Sequence, residues 1–172
     1  MNKKFNTDIQ RGKVGEEIIC KYLQNIYGIN NVIDVSDDEK YQADDIDFII
    51  NLYNIKYTIE VKYDSLFHIT KNFPYEYYSS KTYFTIGCME KTKASRIFLL
   101  SDVTYDCYII RTKDLQELVN NQIITDENNN VIGGNLFRFV NMGDNAKGFL
   151  IPLKQFDYYD IKYNITNLVE FA

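Results

Sequence analysis

The sequence predicts an α/β fold in which a mixed central sheet is flanked by helices. Residues 8–27 repeat apolar side chains about every four positions, which is typical of an amphipathic helix. Residues 45–50 and 57–62 alternate between polar and apolar side chains, as strands with one buried face do. Residues 96–100 form a near-continuous apolar run, which suits a buried strand. Together these patterns indicate a sheet covered by helices.

The remaining elements extend this expectation along the chain. A short strand is predicted within residues 31–35, and a polar loop precedes the hairpin. One domain is expected over 1–172, with a core at about 8–122 and a C-terminal sheet extension at about 123–172. The later predicted elements are a strand at 105–111, a helix from Thr112 or Lys113, strands at 136–140 and 148–153, and a short helix at 154–159.

Composition and charge narrow the class of protein. Hydrophobic residues make up 45% of the chain, which is enough for a sizeable core. The net charge of −5 counts against broad electrostatic affinity for nucleic acid, so any DNA-binding face must be local. The candidate cations for such a face are Lys71, Lys81, Lys91, Lys93 and Arg96.

The sequence predicts a cytoplasmic protein without a membrane span. It has no apolar run of about 18 residues, and its first residues lack the apolar region of a secretory signal. The cysteines Cys20, Cys88 and Cys107 are widely separated and match neither a zinc spacing nor a disulfide framework. A reducing compartment is therefore expected.

The two strands at 45–50 and 57–62 predict a charged cluster. The short link between them suits a hairpin, and a turn centred between Tyr53 and Asn54 places Asp47 opposite Glu60. Opposed residues have Cβ atoms about 5 Å apart, so the two carboxylates repel unless a cation or a proton joins them. A bound Mg²⁺ would offset this repulsion, because Mg²⁺ binds carboxylates together with substrate phosphate. Lys62 shares the face of Glu60, where it can stabilise negative charge or position a water.

Each of these charges also has a structural interpretation. A Glu-x-Lys pair on a strand is commonly a solvated face with a weak ion pair. Glu16 lies on the flank of the apolar stripe of the first helix, where it either reaches the cluster or is a first-turn acid favoured by the helix dipole. Asp45 is a reserve metal ligand or the start of the strand.

The spacing of Asp47 and the Glu60-Val61-Lys62 segment resembles the PD-(D/E)XK nuclease superfamily, which includes restriction endonucleases and Holliday junction resolvases. Residues 15–23 resemble the first helix of the resolvase-like branch, and residues 70–76 resemble a segment of phage-borne members. Gly87-Cys88 stands where those proteins often show Gly-Trp, and no Pro precedes Asp47. The resemblance covers about residues 10–115.

This resemblance implies a restriction endonuclease-like fold and a Mg²⁺-dependent DNA endonuclease, with Mn²⁺ able to substitute. It implies that Asp47, Glu60 and the Val61 carbonyl hold the metal, that Glu16 adds a carboxylate, and that Lys62 acts on the attacking water. Members leave a 5′-phosphate and a 3′-hydroxyl, and many work as homodimers. The substrate contacts that it suggests are Thr70, Lys71, Asn72 and Glu76, of which Glu76 could also orient Lys62 or join the metal shell.

Two other functions stay open from the sequence. One is a non-catalytic nucleic-acid-binding protein on the same fold, for which no tight Mg²⁺ or Mn²⁺ site is expected. The other is a phage protein that binds a host protein, which the net charge of −5 favours over a general DNA binder. An aromatic patch can serve either as core or, less commonly, as a stacking surface for unpaired bases; its residues are Tyr75, Tyr77, Tyr78 and Tyr83.

Overall fold

The structure, a computed structural model, describes residues 3–80, 82–142 and 145–172. The helices are α1 (Lys3–Tyr27), α2 (Glu39–Gln42), α3 (Phe67–Thr70), α4 (Cys88–Lys91), α5 (Thr112–Asn120) and α6 (Leu153–Tyr158). The strands are β1 (Val32–Asp34), β2 (Phe48–Leu52), β3 (Ile55–Asp64), β4 (Asn72–Ser80), β5 (Thr85–Ile86), β6 (Arg96–Ser101), β7 (Asp106–Arg111), β8 (Ile123–Thr125), β9 (Val131–Gly134), β10 (Arg138–Asn141), β11 (Lys147–Pro152) and β12 (Tyr163–Asn167). Two short 3₁₀ helices span Ile29–Asn31 and Val169–Phe171.

The central sheet has six strands in the order β1-β2-β3-β6-β7-β12. Strands β3 and β6 run parallel, while the other neighbours in this sheet are antiparallel. A second sheet has the order β10-β11-β4-β5, and β8 pairs with β9 in a separate hairpin. The predicted α/β class, with a mixed central sheet flanked by helices, is confirmed.

The β2–β3 hairpin has the register that the sequence predicts. Tyr53 and Asn54 both adopt positive φ, at 48° and 67°, as the two central residues of a type I′ turn require. The pairs from Leu52–Ile55 to Phe48–Ile59 all follow a turn centred between these two residues. The turn therefore sets which side chain of β2 lies beside which side chain of β3.

Helix α1 covers one face of the central sheet. Its buried residues Ile18, Ile19 and Leu23 share an apolar core with Ile59 and Val61 of β3. The helix begins at Lys3, five residues before the predicted start. Within the described part of the chain, no helix combines the length and the apolar character needed to cross a bilayer.

Helix α1 packs closely against β3 at a glycine, Gly15. A Cβ atom added at Gly15 would lie 2.8 Å from the Cβ of Tyr63, which is closer than side chains pack. The absence of a side chain at Gly15 therefore lets the helix approach the second half of β3. Glu16, the next residue along the helix, is carried to that part of the sheet.

The second sheet covers the other face of the central sheet. Ile97 and Leu99 of β6 share a core with Phe73 and Tyr75 of β4. This strand runs over nine residues, from Asn72 to Ser80. Of the predicted aromatic patch, Tyr75, Tyr77 and Tyr78 are buried in this core, whereas Tyr83 is exposed.

The C-terminal strands divide between the two sheets. The predicted strands at 136–140 and 148–153 correspond to β10 and β11; β11 pairs with β4 in the second sheet, and β10 pairs with β11. Only β12 extends the central sheet, at the free edge of β7. The helix predicted from Thr112 or Lys113 begins at Thr112, and Leu115, Leu118 and Val119 form its buried side.

Candidate functional site

Asp47 lies directly before β2, where the chain leaves a turn and enters the central sheet. Its backbone N–H donates to the carbonyl of Ile59 at 2.8 Å, and its carbonyl accepts from the N–H of Val35 at 2.9 Å. Its carboxylate Oδ2 accepts a hydrogen bond from the backbone N–H of Val61 at 2.7 Å. The register pairs of β2 and β3 thus end at Phe48. Beyond this point, the Asp47 side chain contacts the backbone of β3 at Val61.

The electrostatic environment of Asp47 favours its protonated form. Burial, together with the charge of Glu60, raises the pKa of Asp47 to about 8, although the bond from Val61 opposes this shift. The two carboxyls therefore act on each other, although the register pairs of β2 and β3 end at Phe48 and Ile59 and do not include Asp47 and Glu60. At neutral pH, the proton on Asp47 relieves part of their repulsion.

Glu60 lies in the middle of β3 and is only 4% exposed. Burial raises the pKa of Glu60, whereas the neighbouring Lys62 amine opposes that shift. The Lys62 Nζ forms an ion pair with Glu60 Oε1, and the Lys62 side chain is 29% exposed. A nearly buried carboxylate with a single amine partner is unlike the solvated Glu-x-Lys pair that the structural interpretation expects.

The face of β3 that holds Glu60 and Lys62 is opposite to the face covered by α1. In the parallel pairing of β3 with β6, Glu60 lies beside Ile97 and Lys62 lies beside Leu99. Paired residues on neighbouring strands point to the same side of a sheet. Glu60 and Lys62 therefore point into the space between the two sheets.

Glu16 of α1 is electrostatically coupled to Asp47. Its negative charge contributes to the raised pKa of Asp47, after burial and Glu60. Its Oε2 lies 3.4 Å from the Nζ of Lys13, one turn earlier on the helix. Because α1 begins at Lys3, Glu16 is not in the first turn, and the interpretation as a first-turn acid is wrong. Glu16 thus acts on Asp47 through its charge, from a helix that covers the sheet face opposite to Glu60 and Lys62.

Cys88, the first residue of α4, is a neighbour of Lys62 that the sequence analysis did not assign to the site. Burial raises the pKa of the Cys88 thiol, and the adjacent Lys62 amine opposes this shift. The backbone N–H of Cys88 donates to Glu76 Oε1 at 3.3 Å. Glu76 and Lys62 are therefore both neighbours of Cys88. In the sequence, the one indication of a role for Cys88 was the Gly87-Cys88 pair, which differs from the Gly-Trp that the resembled nucleases often show.

Gly87 allows this contact between β4 and α4. A Cβ atom added at Gly87 would lie 2.8 Å from the carbonyl oxygen of Glu76 and 3.0 Å from its Oε1. The backbone N–H of Gly87 also donates to the carbonyl of Tyr77 at 2.7 Å. A side chain at this position would separate α4 from β4, and with it Cys88 from Glu76.

The predicted substrate contacts Thr70, Lys71 and Asn72 lie where α3 ends and β4 begins. Lys71 has a φ of 51° and ends the helix, and Thr70 Oγ1 accepts from the N–H of Asn72 at 3.3 Å. Thr70 and Lys71 are exposed. Asn72 and Glu76 are four positions apart on an extended strand, which separates them by about 13 Å. The structure therefore does not gather these three residues around Glu76.

Two of the predicted DNA-contacting cations are neutralised by acids. Lys91 Nζ lies 3.1 Å from Asp45 Oδ2, and Lys93 Nζ lies 2.8 Å from Asp44 Oδ1. Asp45, the reserve metal ligand, is thus paired with a lysine. Lys81 lies outside the described residues.

A separate cavity of about 570 Å³ lies between α5 and the β12 edge of the central sheet. Its lining does not include Asp47, Glu60 or Lys62. Three cations and three acids balance each other there, so the cavity has no net charge to attract a phosphate. These charged residues are Arg96, Arg111, Lys162, Asp114, Glu117 and Asp160.

The buried carboxyls can either share a proton or bind a cation. Among the residues that the structure describes, no group of three or more His, Cys, Asp or Glu side chains is close enough to form a metal site. Asp47 is held instead by the Val61 N–H, and Glu60 is held by Lys62. Both partners stabilise negative charge, but burial has the larger effect, and the pKa of both carboxyls is raised.

The chain was compared with protein-family models, with curated protein sequences and with solved structures, and it matches none of them.

Proposed function

We infer that the chain is a metal-dependent endonuclease of the PD-(D/E)XK superfamily with a restriction endonuclease-like fold. The observation that carries this proposal is the buried pair of Asp47 and Glu60, with Lys62 on the same face of β3. The coupling of Glu16 to Asp47 adds support, because the resemblance assigns a helix carboxylate to the same site. The proposed reaction is hydrolysis of DNA phosphodiester bonds.

The donor atoms of this site suit Mg²⁺ or Mn²⁺. Asp47 and Glu60 provide hard oxygen donors, and the raised pKa of both carboxyls records the unfavourable free energy of burying them together. A divalent cation would offset that repulsion. When bound, it supplies a more acidic water and stabilises charge on the phosphate.

The chain's own residues would prepare the site in two ways. Asp47 must release its proton before it can act as a ligand, because its pKa is about 8. Glu60 must share its oxygens between Lys62 and the cation. Lys62, held by Glu60, then keeps its positive charge beside the reacting phosphate, where it can stabilise developing charge or orient the attacking water.

The test is cleavage of plasmid DNA and of a four-way junction with Mg²⁺ or Mn²⁺. The wild type should cut one of these substrates, and Glu60→Gln should lose about 100-fold or more in rate. Glu117→Gln serves as the control, because Glu117 is exposed and forms its ion pair with Lys113 on the surface of α5. Absence of metal-dependent cleavage of both substrates would overturn the proposal.

The preferred substrate would then define the type of nuclease. Preference for the junction would indicate a resolvase-like enzyme, which needs a homodimer to cut two strands. Preference for linear or supercoiled duplex would indicate another DNA-processing nuclease. The phage origin rests only on the resemblance of residues 70–76.

A second candidate is a non-catalytic protein that binds another protein through an acidic surface. The net charge of −5 favours it, as does the pairing of Lys91 and Lys93 with acids. The salt dependence of DNA binding separates the two candidates. A protein that contacts phosphates loses DNA affinity steeply as salt rises, whereas an acidic interaction protein has little DNA affinity to lose.

A further inference from the structure

The turn that precedes Asp47 is tied to the segment between α4 and β6. The backbone N–H of Lys93 donates to the carbonyl of Asp44 at 2.9 Å, and the two side chains form an ion pair. One residue further along the turn, the carbonyl of Asp45 accepts from Thr92 Oγ1 at 2.8 Å. The turn is therefore held through both backbone carbonyls as well as through its two carboxylates.

Thr92 is the buried centre of this connection. It is only 4% exposed, and its hydroxyl donates to Asp45 while accepting from the N–H of Ala94 at 3.1 Å. Its own carbonyl accepts from Gln116 Nε2 of α5 at 3.3 Å. Thr92 therefore links the turn to a helix that is packed in the main core.

The turn needs such support because of its backbone conformation. Asp45 adopts a φ of 47°, in the left-handed region that residues with a Cβ rarely occupy. Holding a non-glycine residue there costs about 1 kcal/mol or more, and surrounding contacts must offset that cost. The hydroxyl of Thr92 contacts the carbonyl of this strained residue directly.

The backbone conformation of Asp45 affects the position of Asp47, which lies directly before β2. Only Ile46 lies between them, and it packs in a small core with Ala94, two residues after Thr92. A rotation at Asp45 would thus move Ile46 away from Ala94 and shift the Asp47 carboxyl relative to Val61 and Glu60.

We propose that Thr92 is a positioning residue for Asp47, acting through the Asp45 carbonyl. This inference deepens the proposed metal-dependent function and rests on it. Thr92 does not touch the carboxyl pair; its role is to keep the turn in the one conformation that places Asp47 over β3. Loss of the hydroxyl should therefore change the site as well as the stability.

The test compares Thr92→Val with two controls. Thr92→Ser keeps the hydroxyl. Thr112→Val removes a threonine hydroxyl that is equally buried, since Thr112 is 3% exposed, but that has no hydrogen-bond partner among the described residues. Two quantities are measured on each variant without DNA: the affinity for Mn²⁺ by calorimetry, and the hydrogen-exchange rate of the Val61 amide by NMR.

Thr92→Val should weaken Mn²⁺ binding about 10-fold, while both controls stay within about twofold of the wild type. It should also speed exchange of the Val61 amide, because that N–H donates to Asp47. A purely structural role would lower the melting temperature, speed exchange of core amides to a similar extent, and leave the Mn²⁺ affinity unchanged. Wild-type Mn²⁺ affinity and an unchanged Val61 amide in Thr92→Val would overturn the inference.

The same experiment separates this inference from the proposed function. If the wild type binds no Mn²⁺, the proposed function fails, and the Val61 amide alone decides whether Thr92 positions Asp47. If Thr92→Val does not fold, Lys91→Met replaces it. That change removes the ion pair between Lys91 and the Asp45 carboxylate, and Lys91 is partly exposed. It should speed exchange of the Val61 amide more than the control substitutions do.

Discussion

Asp47 and Val61 are joined by a hydrogen bond from the backbone N–H of Val61 to Asp47 Oδ2, at 2.7 Å. The bond lies where regular pairing of β2 with β3 ends, one residue after Glu60 on β3. It holds the Asp47 carboxyl against β3 beside a second buried carboxyl. Burying the two carboxyls together is unfavourable, and their pKa values are raised as a result. Changes in pH, substitutions and added metal should therefore all affect the stability of this site.

The first prediction concerns the pH dependence of stability without metal. The pKa of Asp47 rises from an ordinary 3.8 in the unfolded chain to about 8 in the fold, so the folded state binds the extra proton between these values. Asp47 therefore makes its full favourable contribution to the free energy of unfolding below about pH 4, and this contribution is lost as pH rises through about 8. Asp47→Asn, which stays neutral, should be more stable than the wild type by about 2–4 kcal/mol at pH 9.

Urea unfolding at pH 4 and pH 9 measures this effect. The two proteins should have similar free energies of unfolding at the lower pH and diverge at the higher one. A constant difference across this range would show that Asp47 is not protonated in the fold.

The second prediction concerns Lys62. Lys62→Met leaves Glu60 buried without its amine partner, which should destabilise the metal-free protein by about 2 kcal/mol. Saturating Mn²⁺ should recover most of this loss, because a cation at Glu60 takes over the role of the amine. DNA cleavage should nevertheless stay at least about 100-fold below that of the wild type.

Lys56→Met is the matched control for Lys62, since Lys56 lies on the same strand but is exposed. Its melting temperature should depend on Mn²⁺ as that of the wild type does. Equal destabilisation of Lys62→Met with and without Mn²⁺ would mean that the amine and the cation do not share Glu60.

The third prediction concerns the approach of α1 to β3. Gly15→Ala places a methyl group 2.8 Å from the Cβ of Tyr63, so the helix must move, at a cost of about 1–3 kcal/mol. Gly12→Ala, on the same helix, meets nothing within 4 Å and should instead stabilise the protein by about 0.5–1 kcal/mol. Thermal unfolding of both variants checks the opposite signs. If Glu16 contributes to the site, Gly15→Ala should also weaken Mn²⁺ binding, whereas Gly12→Ala should not.

The fourth prediction concerns the hairpin turn. Tyr53 is almost fully exposed and has a φ of 48°, a conformation that asparagine tolerates better than tyrosine. Tyr53→Asn should therefore stabilise the protein by about 0.5 kcal/mol. Alanine does not tolerate a positive φ as asparagine does, so Tyr53→Ala should not increase the stability of the protein. Urea unfolding distinguishes the two, and equal stabilities would show that the turn conformation does not limit the hairpin.

Local patterns were sufficient to predict the α/β class, the helix α1 and the register of the β2–β3 hairpin. A hairpin is specified by its own turn and by the alternation of its own side chains. Tyr53 and Asn54 therefore set the pairing as far as Phe48 and Ile59, next to Asp47 and Glu60, without reference to the rest of the chain. The same alternation put Lys62 on the face of Glu60.

Only the tertiary structure decided what surrounds that pair. Strand β4 pairs with β11, which lies about 70 positions later in the chain, and no local pattern reports such a partner. The burial of Glu60, the place of Cys88 beside Lys62 and the link from Thr92 to Asp45 all depend on distant segments packing together. The sequence by itself determined the pairing of the hairpin that brings the charged residues near each other. Long-range packing determined that these residues are buried. Burial makes their charged forms unfavourable and shifts their pKa values.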